Sequence, residues 1–245
     1  MSFWNTAIGA MIGFSLGGPI GALIGGVLGS RFGSKRNFRQ SFTNNEQQQV
    51  AFFAALFACL AKLAKADGRV SKEEIQAVDR FIKDRFKFDS DQRKFAIQIF
   101  NRAKDDTNSY EDYAYQLSDL LKANKNALLV FYELLFELAM ADGVLHEKEQ
   151  ELLRSTTHIF KIDPGIFENL KSQFVDSKVN PYAVLGVSES MDFEEIKRVY
   201  RRKRKEFHPD TLISKGLPEE LIERAKEKFI EIQEAYESIE RERKQ

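Results

Sequence analysis

Residues 60–74 read Leu-Ala-Lys-Leu-Ala-Lys-Ala-Asp-Gly-Arg-Val-Ser-Lys-Glu-Glu, and residues 135–149 read Leu-Phe-Glu-Leu-Ala-Met-Ala-Asp-Gly-Val-Leu-His-Glu-Lys-Glu. At this offset of 75 residues, Leu60, Leu63, Ala64, Ala66, Asp67, Gly68, Val70 and Glu74 fall on Leu135, Leu138, Ala139, Ala141, Asp142, Gly143, Leu145 and Glu149. Self-similarity at a fixed offset marks one structural unit used twice. Each copy reads as the end of an apolar helix, a short turn with one buried aliphatic side chain, and a second helix that opens with acidic residues. Glycine suits the left-handed conformation that ends a helix, and acidic side chains suit the positive N-terminal end of the next one.

Outward from these two turns, the pattern stays helical from Glu46 to Val175. No alternating β-type run interrupts it, and Pro164 is its one proline. The periodicity predicts helices over 46–66, 71–86, 90–104, 109–122, 125–141, 147–160 and 164–175. Ser71 with Glu74 forms a capping box, Asp89 or Ser90 caps the third helix, and Asp163 precedes a proline at a first helical position. Phe52, Phe53, Phe57, Phe81, Phe95, Phe100, Phe131 and Phe136 recur at helical spacing and are expected in the core.

The paired Ala-Asp-Gly turns resemble the TerB-like family, an all-helical module named from tellurite-resistance proteins, over residues 46–175. Some members of that family are thought to bind metal through these acidic turns, which implies Asp67, Glu74, Asp142 and Glu149 as candidate ligands. The spacing is not that of an EF-hand loop, whose ligands alternate along twelve residues. Turn and capping chemistry also explains an aspartate at a helix end and a glutamate three residues into the next helix. His146 and His158 have no cysteine, serine or second histidine at catalytic spacing.

The C-terminal stretch carries a second pattern. A polar linker at 176–180 leads to Pro181-Tyr182-Ala183-Val184-Leu185-Gly186-Val187, one or two helical turns ending at glycine. A helix from about Asp192 to Phe207 follows, then His208-Pro209-Asp210, then a helix from Pro218 to Ile239. Proline ends the first of these two helices and stiffens the turn, so that His208 and Asp210 are displayed at the tip of an antiparallel hairpin. The hairpin's polar faces are opposite in sign, with basic residues between Lys197 and Lys205 and glutamates between Glu219 and Glu237. Part of that charge is expected to pair within the hairpin.

In this context the Pro-Tyr-x-x-Leu-Gly-Val opening, the Ile-Lys-x-x-Tyr-Arg helix, the His-Pro-Asp turn and the Ile-Gln-Glu-Ala-Tyr-Glu helix resemble a J domain over residues 181–245. That resemblance implies a DnaK-type chaperone as partner. It implies His208, Pro209 and Asp210 as the loop that stimulates the partner's ATPase, with Lys197, Arg198, Arg201, Arg202 and Lys205 as docking contacts. Docking of that kind is fast, weak and salt-sensitive. Two positions depart from the family: Lys203 stands where leucine is usual, and Thr211 where lysine is usual. Lys203 is expected to bury its stem and extend its charge outward.

At the other end, Ser2 to Ser30 contains no Asp, Glu, Lys or Arg. A helix of about 20 apolar residues spans a bilayer core, so residues 1–30 read as a transmembrane helix with Trp4 at an interface. Basic residues come only afterwards, at Arg31, Lys35, Arg36 and Arg39 in a juxtamembrane linker over 31–45. The positive-inside rule then puts the N-terminus outside and the later domains in the cytosol. Gly9, Gly13, Gly17, Gly21, Gly25 and Gly29 recur every four residues along one face. A face without side chains lets two helices approach closely, and self-association through it is expected to give a homodimer or higher oligomer.

Whole-chain composition agrees with these readings. The chain has 245 residues, 37 basic and 37 acidic, so its net charge gives no reason to expect a nucleic-acid partner. The basic stripe lacks interleaved aromatics and a groove-reading fold, which argues against nucleic-acid binding locally. A single cysteine, Cys59, excludes an internal disulfide, and no Cys/His cluster has zinc spacing. The expectation is an all-α, single-pass protein of the bacterial inner membrane. Its order of membrane helix, TerB-like helical bundle and C-terminal J-domain hairpin resembles the DjlA family of membrane-anchored co-chaperones. No cofactor and no catalytic residue is expected. The rival reading makes the TerB-like domain the active part, binding a metal or stress ligand, with the J domain as an adaptor.

Overall fold

The structure is a computed structural model that describes residues 17–31, 44–66, 68, 70, 72–86, 88–122, 125–140, 143–175, 180–208, 210 and 219–244. Among the described residues every regular element is helical. The chain divides into two compact units, Met1–Phe160 and Lys161–Gln245.

The first unit is built around one helix. Helix α2 (Asn44–Ala64) carries Val-Ala-Phe-Phe-Ala-Ala-Leu-Phe-Ala-Cys-Leu-Ala at 50–61, with no polar face for water to occupy. All twelve of these residues are buried. A helix that is apolar all round must be enclosed all round. Five neighbours enclose it: α1 (Gly18–Arg31), α4 (Ser90–Asp105), α5 (Tyr110–Leu120), α6 (Lys125–Ala139) and α7 (Glu147–Phe160). Phe52 meets Phe131 of α6 edge to face, with centroids 5.2 Å apart, and Phe131 meets Phe160 of α7 at 5.8 Å. Of the phenylalanines expected in the core, Phe52, Phe53, Phe57, Phe95, Phe100, Phe131 and Phe136 are buried. The side chain of Phe81 lies outside the described residues.

The repeat seen in the sequence is a repeat of helices. Helix α2 ends at Ala64 and α6 at Ala139; α3 (Lys72–Arg85) and α7 start at Lys72 and Glu147; α4 and α8 (Gly165–Val175) start at Ser90 and Gly165. Each pair keeps the 75-residue offset. The two turns close in the same way, Gly68 N–H donating to Lys65 O and Gly143 N–H to Met140 O, both at 2.9 Å. Both glycines have positive φ, +105° and +86°, where a Cβ is strained. Helix α8 lies in the second unit.

Local signals explain the helix ends. Asp89 accepts from the backbone of Asp91 and Gln92, and Gln92 Oε1 accepts from Asp89 N–H in return, which closes a capping box at α4. Ser109 and Asp112 do the same at α5. Asp163 Oδ1 accepts from Gly165 N at 2.9 Å, one residue later than the proline position expected from sequence. The expected Ser71 cap lies outside the described residues.

A polar junction ties α2 to the end of α4. Asp106 caps α4, and its carboxylate receives Lys62 Nζ at 2.8 Å, the Tyr113 hydroxyl, and Asn108 Nδ2 at 3.3 Å. Lys62 also donates to Asp106 O, and Lys65 to Lys104 O at 2.8 Å. Two ammonium groups thus sit on the negative end of α4. Burial pushes the Asp106 carboxyl up, but the hydrogen bonds from Lys62, Tyr113 and Asn108, with the charge of Lys62, hold it below the ordinary carboxylate range.

In the second unit, Asn180 Oδ1 accepts from Tyr182 N at 2.9 Å and opens α9 (Pro181–Leu185), with Pro181 where no N–H is needed. Gly186 (φ 62°) closes it: Gly186 N–H donates to Ala183 O and Val187 N–H to Tyr182 O, both at 3.0 Å. Helices α10 (Phe193–Glu206) and α11 (Glu219–Arg243) pack on α9 and on each other. Ile196, Ala225, Ile232 and Ile239 are fully buried among the apolar residues of this unit, and Tyr200 stacks on Tyr236 at 4.0 Å.

Among the described residues no helix is long and apolar enough to cross a membrane. Gly17 and Gly18 have positive φ, and α1 starts only at Gly18. The expected membrane helix over 1–30 therefore lies mostly outside the described residues.

Two predictions follow from the turns and the polar junction. Replacing Gly143 with alanine should cost about 1–2 kcal/mol in urea unfolding, and asparagine, which tolerates the left-handed region, should cost less. Asp106 has a depressed folded pKa, so its contribution is complete above the ordinary carboxylate value of about 3.9 and is lost as pH falls through the folded value. An Asp106→Asn variant should be less stable than wild type at pH 6, and the difference should shrink steadily below about pH 4.

Candidate functional site

The exposed end of α10 gathers the residues that the sequence singled out. Asp192 starts the helix by accepting from Glu194 N at 2.9 Å, and Phe207 N–H closes it on Lys203 O. Ile196 and Phe207 are buried, which turns the opposite face outward. On that face Arg198, Arg201, Arg202 and Lys205 are all exposed. Their spacing of three and four residues makes a continuous basic row. Lys197 stands at its edge, half-buried and 3.6 Å from Glu194.

Just past the helix end, His208 and Asp210 continue this row into solvent, with side chains 50% and 84% exposed. Asp210 N–H donates to His208 Nδ1 at 3.3 Å, a short turn that fixes the imidazole relative to the backbone. The Asp210 carboxylate lies 3.6 Å from the same nitrogen. Pro209 and Thr211 lie outside the described residues.

Two further residues hold this turn, and the sequence alone did not assign either of them to the site. The His208 ring meets Phe229 of α11 edge to face, with centroids 5.7 Å apart. Arg204 places its guanidinium 5.7 Å from the same ring centroid. In the sequence Phe229 lines up with Leu221, Ile222, Ala225, Ile232, Ala235, Tyr236 and Ile239 as the apolar stripe of the second hairpin helix. Its spacing could not reveal that one edge of that stripe supports the histidine.

Lys203, at the position where leucine is usual, does not simply extend into water. It is half-buried, and its ammonium donates to Val184 O at 3.3 Å, so it joins α10 to α9. The glutamates of α11 are engaged largely along their own helix. Arg224 pairs with Glu227 at 3.0 Å and Glu231 at 3.4 Å, Lys226 with Glu223 at 2.6 Å, and the buried Lys228 with Glu231 at 3.2 Å.

The candidate metal ligands are not brought together among the described residues. Asp67, Asp142 and the side chain of Glu74 lie outside them. Glu149 is buried, and its Oε2 accepts from His146 N at 2.9 Å, the capping geometry of a third helical residue. No group of three or more potential metal ligands occurs among the described residues. Of the glycine face, Gly17 is exposed, Gly21 buried and Gly25 half-buried; Gly9 and Gly13 lie outside the described residues, as does the environment of Gly29.

Three family models match in succession. Residues 1–39 match the co-chaperone DjlA transmembrane domain, residues 53–172 the tellurite resistance protein TerB, and residues 180–245 the DnaJ domain. The co-chaperone protein DjlA of Photobacterium profundum is 33% identical over 224 residues, which cover 82% of this chain and 80% of the relative. The chain belongs to the DjlA co-chaperone family.

The DjlA proteins of Vibrio parahaemolyticus, 31% identical over 79% of this chain and 78% of the relative, and of Salmonella paratyphi A, 30% identical over 81% and 82%, agree. No solved structure matches the chain significantly. The TerB match ends inside α8, which packing groups with the second unit. Membership makes the chain a J-domain co-chaperone with a membrane-anchor region at its N-terminal end, and the family is not one of catalytic enzymes.

The contact with Phe229 gives a direct prediction. In a Phe229→Leu variant, the His208 ring protons should lose their ring-current displacement in proton–carbon spectra. The backbone signals of α9 and α10 should stay in place.

Proposed function

We propose that the second unit binds a DnaK-type chaperone and stimulates its ATPase, with the nucleotide and the hydrolysis belonging to the partner. One observation carries this reading: an exposed basic row, Arg198, Arg201, Arg202 and Lys205, ends at an exposed His208–Asp210 turn fixed from below by Phe229. A row of like charge on a rigid helix attracts an acidic surface and orients the complex. The turn then meets the partner in one orientation. Lys197 and Pro209 complete the proposed contact set.

The same reading places the work at a membrane. Basic Arg31, Lys35, Arg36 and Arg39 follow the apolar segment directly, which supports a single pass through the bacterial inner membrane with the N-terminus outside and the domains after residue 45 cytosolic. The glycine face from Gly9 to Gly29 supports a homodimer through the anchor.

The test is a steady-state ATPase assay of a DnaK-type chaperone with residues 161–245. Wild type should stimulate turnover several-fold, His208→Gln should leave it at the basal rate, and Arg201→Glu with Arg202→Glu should raise the concentration needed for half-maximal stimulation by about tenfold. Equal stimulation by wild type and His208→Gln would exclude the proposed role of the turn.

A further inference from the structure

Membrane anchoring and the fold place competing demands on one helix. Helix α1 lies inside residues 1–39, the stretch that matches the family's transmembrane domain, yet it is seated in the first unit against α2, α4 and α5. Ile20, Leu23, Ile24 and Val27 form one stripe at i, i+3, i+4 and i+7, and none is more than 3% exposed. Gly21 is buried beside them, while Ala22 faces water.

The contact is specific as well as apolar. The first turn of a helix leaves backbone N–H groups without partners. Here the side chain of Gln116 on α5 supplies one: its Oε1 accepts from Ile20 N at 2.8 Å, and its Nε2 donates to Gly17 O at 2.8 Å. Gln116 thus caps a helix that lies 96 residues away in the chain. Gly18 has a φ of +60°, which strains any residue with a Cβ, and a Cβ there would lie 2.9 Å from the Gln116 carboxamide and displace it from the cap. Further along, a Cβ at Gly26 would run into the Arg102 guanidinium of α4.

A bilayer offers α1 neither a glutamine cap nor an arginine across its surface, and the helical unit cannot follow it into hydrocarbon. The two placements exclude each other. We infer that the groove between α2, α4 and α5 is a receptor for the chain's own anchor: away from a membrane α1 occupies it under the Gln116 cap, and insertion empties it. This goes beyond the co-chaperone reading and depends only on the presence of the anchor region. It accounts for glycines at 18 and 26, which lie outside the four-residue series of the self-association face. Docking keeps the apolar stripe out of water until a bilayer is available.

The test uses the full chain in a Cys59→Ala background, synthesised without lipid or with vesicles of phosphatidylethanolamine and phosphatidylglycerol, with Ala22→Cys or Ile24→Cys as reporter. A water-soluble maleimide should label position 22 about tenfold or more faster than position 24 when lipid is absent, because only the former faces water in the docked state. In vesicle-bound protein, isolated by flotation, both positions should be protected. Adding Gln116→Ala should speed labelling at position 24 without lipid by about fivefold, with flotation undiminished and helicity by circular dichroism unchanged. Equal labelling of the two positions without lipid overturns the docked state. Continued labelling of position 22 in floated protein overturns the exchange, and failure of the chain to float overturns insertion itself while leaving the docked state to the first comparison.

Discussion

Burial of one helix on every side is the constraint from which the first unit follows. The stretch Val50–Ala61 has no face that water can occupy, so α2 is stable only when several helices surround it. Surrounding it is what α1, α4, α5, α6 and α7 do. At the C-terminal end of α2, Lys62 and the following Lys65 emerge just where α4 presents its carbonyls and Asp106. Hydrophobic enclosure sets which helices meet α2, and the lysine–carbonyl contacts set how far along it α4 sits.

The internal repeat supplies the parts for this enclosure. Helix, glycine turn and helix occur twice at one offset, and the turns match down to the hydrogen bond that closes them. Yet the halves have different roles. The first repeat contributes the central helix, and the second contributes α6 and α7 as part of the wall. Equivalent local structure, placed by different apolar content, yields inequivalent packing: Val50, Ala51 and Ala54 of α2 are buried, while of their counterparts on α6 Lys125 is exposed and Asn126 and Leu129 are half-buried.

The second unit follows another logic. Its interior is a small stacked core in which Tyr200 and Tyr236 meet face to face, and its outer surface holds the chemistry. A basic row gains from its position near the C-terminal end of α10, where the helix dipole favours positive charge. Phe229 belongs to both layers, since it lies in the hairpin stripe and also supports His208 and Arg204. Lys203 likewise serves the interior, bonding a carbonyl of α9.

The sequence by itself determined the helical class, the helix bounds to within about two residues across 46–175, the two glycine turns, and the identity of the basic row with its His-Pro-Asp turn. These are local properties: periodicity, capping and backbone restriction act within a few residues, so one chain segment suffices to read them. Tertiary structure alone decided that Phe229 supports His208, that Lys203 bonds Val184, that Asp106 gathers Lys62, Tyr113 and Asn108, and that Gln116 caps α1 from across the fold. Each of these depends on which surfaces meet, and in a helical protein that is settled by side-chain fit among many similar apolar stripes. A stripe announces that it will be buried, but the partner that buries it is chosen only when the chain has folded.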